Sequence, residues 1–165
     1  MNEIAETEFT DACAALDKGD CERAFELMKA ASEAGNLSAM ANMGVFYLDG
    51  VGTPPNTTLG LLWSRRAALK RNSTAATNVA LYYLDLGNSR RASYWFNRAV
   101  SLGDQGAMFY LAKMLIARNT ARSQIRAVEI LRDLVGTRWL SEEESDEARL
   151  LISAHPAELA GFPSK

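Results

Sequence analysis

Apolar residues recur along this chain at helical spacing. Met40, Met43, Gly44 and Tyr47 fall at i, i+3, i+4 and i+7, one face of a helix, and Gly50 and Gly52 follow where positive φ can end it. Pro54 and Pro55 block an early restart. Thr57 offers a hydroxyl to cap a second helix, which carries Gly60, Trp63 and Ala67 inward before breaking near Arg71 and Asn72. Small residues face large ones in this pair. Gly44, Gly60 and Ala67 let two backbones approach, and Tyr47 and Trp63 fill the space beside them, burying on the order of 150–250 Å² each.

The same reading extends in both directions. Asn2 to Lys18 forms an acidic helix ending at Gly19, and Asp20 caps a helix from Cys21 to Ala34, stopped by Gly35. After the central pair, Ser73 caps a helix to Leu86, Gly87 ends it, and Asn88 opens the next, to Leu102. Asp104 opens a helix to about Arg118, the polar run from Asn119 to Ser123 reads as a loop, and Ile125 to Val135 is helical. Ser141 and Glu144 have capping-box spacing for a last helix ending at Ala154, with His155 and Pro156 as its stop. Residues 157–165 form a tail.

Self-similarity at a period of 20–50 residues changes the fold expected, and it is present here. Segments starting at Glu22, Leu59, Arg91 and Arg126 align so that Ala24, Gly60, Ala92 and Ala127 share one position. Leu27, Trp63, Trp95 and Ile130 share a second, and Ala31, Ala67, Ala99 and Leu134 a third. The preceding helices align as well: the run from Asn42 matches that from Asn78 and, more loosely, that from Tyr110.

The run Ala39, Gly44, Tyr47, Gly50 and Gly52, followed by Pro54, Trp63, Ala67 and Ala68, resembles the Sel-one-like repeat (SLR), a relative of the tetratricopeptide repeat (TPR). The resemblance is specific over residues 36–72 and looser over residues 4–35, 73–103 and 104–138, where Leu86-Gly87 replaces the two-glycine loop and Ala112 replaces Gly44. It implies an all-α fold, an α-solenoid of stacked antiparallel helix pairs in a right-handed superhelix, with residues 141–154 as a capping helix. One domain over residues 1–156 is expected.

Composition narrows the function. The stretch from Met1 to Phe9 is acidic where a signal peptide is basic, and no apolar run approaches spanning length, so cytoplasm is the expected compartment. Cys13 and Cys21, the only cysteines, are expected to be reduced and buried. Charge is segregated. Residues 1–35 carry three basic and nine acidic groups, residues 36–138 thirteen against five, and residues 139–165 two against six. The overall pI of about 5.5 and the lack of a groove-reading motif disfavour nucleic acid.

Two faces are candidates for a partner. In the geometry the resemblance implies, the first helix of each pair lines a concave groove, presenting Val45, Leu48 and Asp49, then Thr77, Leu81, Leu84 and Asp85, then Phe109 and Lys113. Asp17, Asp49 and Asp85 would make an acidic ladder beside that row. The alternative is an outer basic face, since Lys29, Arg65 and Arg132 share one aligned position, while Arg66 and Arg98 share the next. Catalysis has little to draw on. The single histidine, His155, has no Cys or Asp near it in sequence; no metal-spaced Cys/His set or phosphate-cradling loop is present, and neither a cofactor nor a metal is expected. The expectation is a non-enzymatic protein- or peptide-binding module that acts by occupancy. The resemblance extends this to bacterial adaptors, regulators or immunity proteins that inhibit a cognate toxin. The alternative from a different class is a hydrolase using groove carboxylates.

Overall fold

The structure, a computed structural model, describes residues 3–155. Among them are nine helices and no strand: α1 (Glu3–Asp17), α2 (Cys21–Glu33), α3 (Leu37–Asp49), α4 (Thr57–Leu69), α5 (Ser73–Asp85), α6 (Ser89–Ser101), α7 (Ala107–Ala117), α8 (Ala121–Leu134) and α9 (Glu142–Ala154). The chain divides into two compact units, residues 1–102 and 103–165. Within each, adjacent helices pair, the arrangement of α-solenoid repeats. Pro156 and the tail at 157–165 lie outside the described residues.

In the first unit, the joints between helices explain the regularity. Gly35 takes φ of 101°; its N–H donates to the Ser32 carbonyl at 3.1 Å, and the Asn36 N–H donates to Ala31 at 2.9 Å. That closure satisfies the last carbonyls of α2. Asn36 then turns its side chain forward, its Oδ1 accepting from the Ala39 N–H at 2.8 Å, and so starts α3. One residue therefore closes one helix and caps the next. Gly19-Asp20, Arg71-Asn72 and Gly87-Asn88 repeat the device, each with a positive φ followed by a side-chain cap. The caps of α4 and α5 are therefore Asn56 and Asn72, not Thr57 and Ser73, which occupy the first helical turn. An Asn amide oxygen accepts from the N–H three residues on, and the hydroxyl residues simply follow it.

The α3–α4 connection is longer. Gly50 takes φ of 75°, and the Asn56 N–H donates to the Tyr47 carbonyl at 2.6 Å, pinning the loop to α3. Gly52, at φ of 66°, lies against the first turn of α2: a Cβ there would collide with the Cys21 carbonyl and come within 2.9 Å of Phe25 Cβ. The loop glycines thus serve contact with the preceding pair as well as helix termination. Phe25 meets Tyr47 edge-on at 5.5 Å, within a core built from Ala12, Met28, Met43 and Phe46 and flanked by Trp63 and Val51.

The helix pairs close by different means. At Gly44 a Cβ would strike Ser64, whose Cβ and backbone N both lie at 3.2 Å, and at Gly60 a Cβ would lie 2.7 Å from Leu48 Cγ and 2.9 Å from the Gly44 carbonyl. A side chain at Gly44 would have to displace the Ser64 hydroxyl, and one at Gly60 would press on the Gly44 carbonyl itself. The positions aligned with Ser64 are Met28, Phe96 and Leu131, all fully buried. The positions expected to face inward do so: Ala24, Ala92 and Ala127, like Ala31, Ala67 and Ala99, have no exposed surface. Trp95 is buried, whereas Trp63 is half-buried.

In the second unit, α7, α8 and α9 enclose Phe109, Ala112, Ile130, Leu131, Leu134, Leu140 and Ala148. The α8 helix starts at Ala121 rather than Ile125, because Thr120 and Ser123 form a reciprocal capping box that turns the supposed loop into the first helical turn. The α7 helix starts at Ala107, three residues after Asp104, whose Oδ1 still accepts from the Ala107 N–H at 3.2 Å. Ser141 and Glu144 form the expected capping box of α9. His155 places Nδ1 3.0 Å from the Leu151 carbonyl, a helix-end contact.

Candidate protein-binding surfaces

The first-helix row divides once its side chains are placed. Asp49 and Asp85, the last residues of α3 and α5, are exposed, as is Leu84. Val45, Thr77 and Leu81 are half-buried, and the Thr77 hydroxyl lies 3.4 Å from the Ser73 carbonyl. Leu48 packs onto Gly60, which places much of it in the α3–α4 interface. Phe109 is 1% exposed, so it cannot serve as a groove anchor: its ring is part of the second unit's core. Lys113 pairs with Glu147 of α9 at 2.7 Å and covers the Phe109 ring at 5.2 Å. The groove row therefore presents a short exposed set in the first unit, Asp49, Leu84 and Asp85, and two of its expected members serve the second unit's own packing. The Asp17 side of the ladder is exposed at the end of α1.

The outer basic face also divides. Arg65 and Arg66 are exposed on α4, with the Arg66 guanidinium 4.7 Å above the Trp63 ring. Arg98 is committed elsewhere: its Nη2 donates to the Ala68 carbonyl at 3.4 Å near the C-terminus of α4, and it covers Trp95 at 5.9 Å. It acts as a clamp between α4 and α6, and its cation complements the α4 dipole end. Arg132 is exposed on α8, in the second unit. The expectation missed the apolar partners of these arginines. Leu62 and Leu69 on α4 and Tyr94 on α6 are strongly exposed. The signal was in the periodicity: Leu62 and Leu69 sit roughly 180–200° around the helix from Gly60, opposite its inward line.

The cysteines differ from expectation. Both are free thiols, but neither is buried: Cys21, the first residue of α2, is exposed and Cys13 is half-buried. Among the described residues no group of three His, Cys, Asp or Glu side chains is placed to hold a metal ion, and no helix is long and apolar enough to cross a membrane.

Helix pairs repeated in tandem define the class of helical repeat proteins. The chain belongs to the Sel1 repeat family: the family model matches residues 15–36, 37–72 and 73–104, together more than half of the sequence. No curated protein sequence matches it. Among solved structures it is similar to a Sel1 repeat protein from Oxalobacter formigenes, at 19% identity and a TM-score of 0.59, over 91% of this chain and 72% of that one. A tetratricopeptide repeat protein from Parabacteroides merdae aligns at 19% identity and a TM-score of 0.61, over 96% of this chain and 69% of that one. A protective antigen present in uropathogenic Escherichia coli strains and displaying an SLR fold aligns at 16% identity and a TM-score of 0.63. This chain is covered over 91% there, but spans only 38% of the antigen. Sel1 repeats are generally protein–protein interaction modules, and families of this kind are typically non-enzymatic scaffolds.

Proposed function

We propose that this chain works in the cytoplasm by occupying a partner protein, as an adaptor or regulator, with inhibition of a cognate toxin as the narrower form. The observation that carries the reading is the tandem of three matched repeats, a kind of module that generally binds other proteins. A stack of this kind acts by occupancy: it blocks, tethers or positions what is bound. Free thiols such as Cys21 fit a reducing compartment. The hydrolytic alternative gains no support from the carboxylates it would use, since Asp49 and Asp85 are solvated helix-end residues. A general acid needs a pocket that shifts its proton affinity.

The test is capture from the source cell followed by reconstitution of the two purified proteins. A saturable complex in titration calorimetry, with the partner recovered chemically unchanged, is the expected result. Catalytic amounts of the chain altering the partner covalently would end the occupancy reading. An immunity role would show as loss of the partner's own activity at one-to-one stoichiometry, and an adaptor role as its retention.

A further inference from the structure

We propose that the outer face of α4 and α6 is a docking surface for an acidic amphipathic helix of a partner protein. Resting on the protein-binding reading above, it adds which face binds and what chemistry is recognised. Leu62, Arg65, Arg66 and Leu69 fall at i, i+3, i+4 and i+7 on α4, with the two leucines 50% and 62% exposed and about 10 Å apart along the axis. Tyr94, 60% exposed, and Arg90 lie one turn apart on α6. The Arg98 bond to the Ala68 carbonyl links α6 to the end of α4.

Charge identifies the occupant. Neither α4 nor α6 contains an acidic residue, and among the described residues Arg65, Arg66 and Arg90 form no ion pair. Guanidinium groups left without counter-charges beside exposed leucines match a helix that offers carboxylates between apolar side chains, because the planar fork takes a carboxylate bidentately. The arginines lie axially between the two leucines. A membrane that took up both leucines would draw Arg65 and Arg66 toward its apolar layer, whereas a protein helix meets both kinds of side chain at once.

The test uses full-length protein and a stapled helical peptide of about 15 residues, with leucine at every seventh position and glutamate three and four residues after it, beside a twin with lysine for glutamate. Fluorescence anisotropy should show saturable binding of the glutamate peptide only, weakening steeply with salt. Arg65→Glu with Arg66→Glu, and separately Leu62→Ser with Leu69→Ser, should each weaken it by about tenfold or more while the circular dichroism stays native. Because all four side chains are solvent-facing, these variants should fold; Leu150→Ser, at an exposed leucine of α9 outside both candidate surfaces, serves as a folded control and should bind like the wild type. The proposal is overturned by no binding of the glutamate peptide, by equal binding of the lysine twin, or by variants that bind unchanged. Arginine-dependent binding to phosphatidylglycerol vesicles without peptide binding, or arginine-dependent self-association in sedimentation, would also overturn it. None of these outcomes would by itself sink the occupancy reading, which the captured and reconstituted partner decides.

Discussion

The α3–α4 pair and the α7–α8 pair occupy the same place in the repeat and close in opposite ways. In the first, glycine meets serine and glycine meets leucine, with the two backbones in near contact at Gly44 and Gly60. In the second, Ala112 stands where Gly44 does and Leu131 where Ser64 does, and the gap is filled by Phe109, Ile130 and Leu134. Close approach demands glycine and so leaves a conspicuous sequence trace. Filling with volume accepts many aliphatic combinations and leaves little. The family match covers both kinds of closure, since the α5–α6 pair at 73–104 has Ala80 in place of glycine and Phe96 in place of serine, and α7 and α8 still pair beyond it.

Substitutions separate the two modes of closure. Phe96, which fills the slot that serine fills in α4, has no exposed surface, and Phe96→Ala should destabilise by about 3–5 kcal/mol in denaturant unfolding. A loss under about 1 kcal/mol would mean the slot is not filled by volume after all. Gly44→Ala should cost about 1–3 kcal/mol by overpacking, even though alanine is accommodated, fully buried, at the aligned positions Ala80 and Ala112. Adding Ser64→Gly should recover part of that loss; strict additivity of the two would remove the steric explanation. The smallest effect concerns a joint. Arg71 takes φ of 73° where the other joints of the first unit have glycine, so Arg71→Gly should stabilise by about 1 kcal/mol, read as a rise in the unfolding midpoint.

The fold was legible because its determinants are local: apolar periodicity, a residue free to take positive φ, and an amide or hydroxyl at the next position. Reading Ser73 as a cap in place of Asn72 moved a boundary by one residue, and the NTARS run hid a capping box whose second member is serine rather than glutamate. The surfaces were less legible, since exposure depends on which neighbour covers a helix. Nothing in the sequence near Phe109 shows that its face is filled by Leu131 and Leu134, or that Glu147 reaches Lys113. Leu62 and Leu69 were readable in principle, because they fall opposite the inward line, but an isolated exposed leucine is ordinary and only their placement beside Arg65 and Arg66 gives them meaning.

The fused joints constrain how such a chain can change in length. From α2 to α6 every helix is thirteen residues long. A residue inserted into a joint such as Gly35-Asn36 would separate the closure of one helix from the opening of the next, and one inserted within a helix would rotate its inward face by about 100°. The segment from Gly50 to Asn56 lacks that double duty over much of its span, and it is there that the matched repeat at 37–72 is longer than the one at 73–104. Insertions and deletions inherited by proteins of this design should therefore gather between the two helices of a pair, leaving the spacing from one pair to the next fixed.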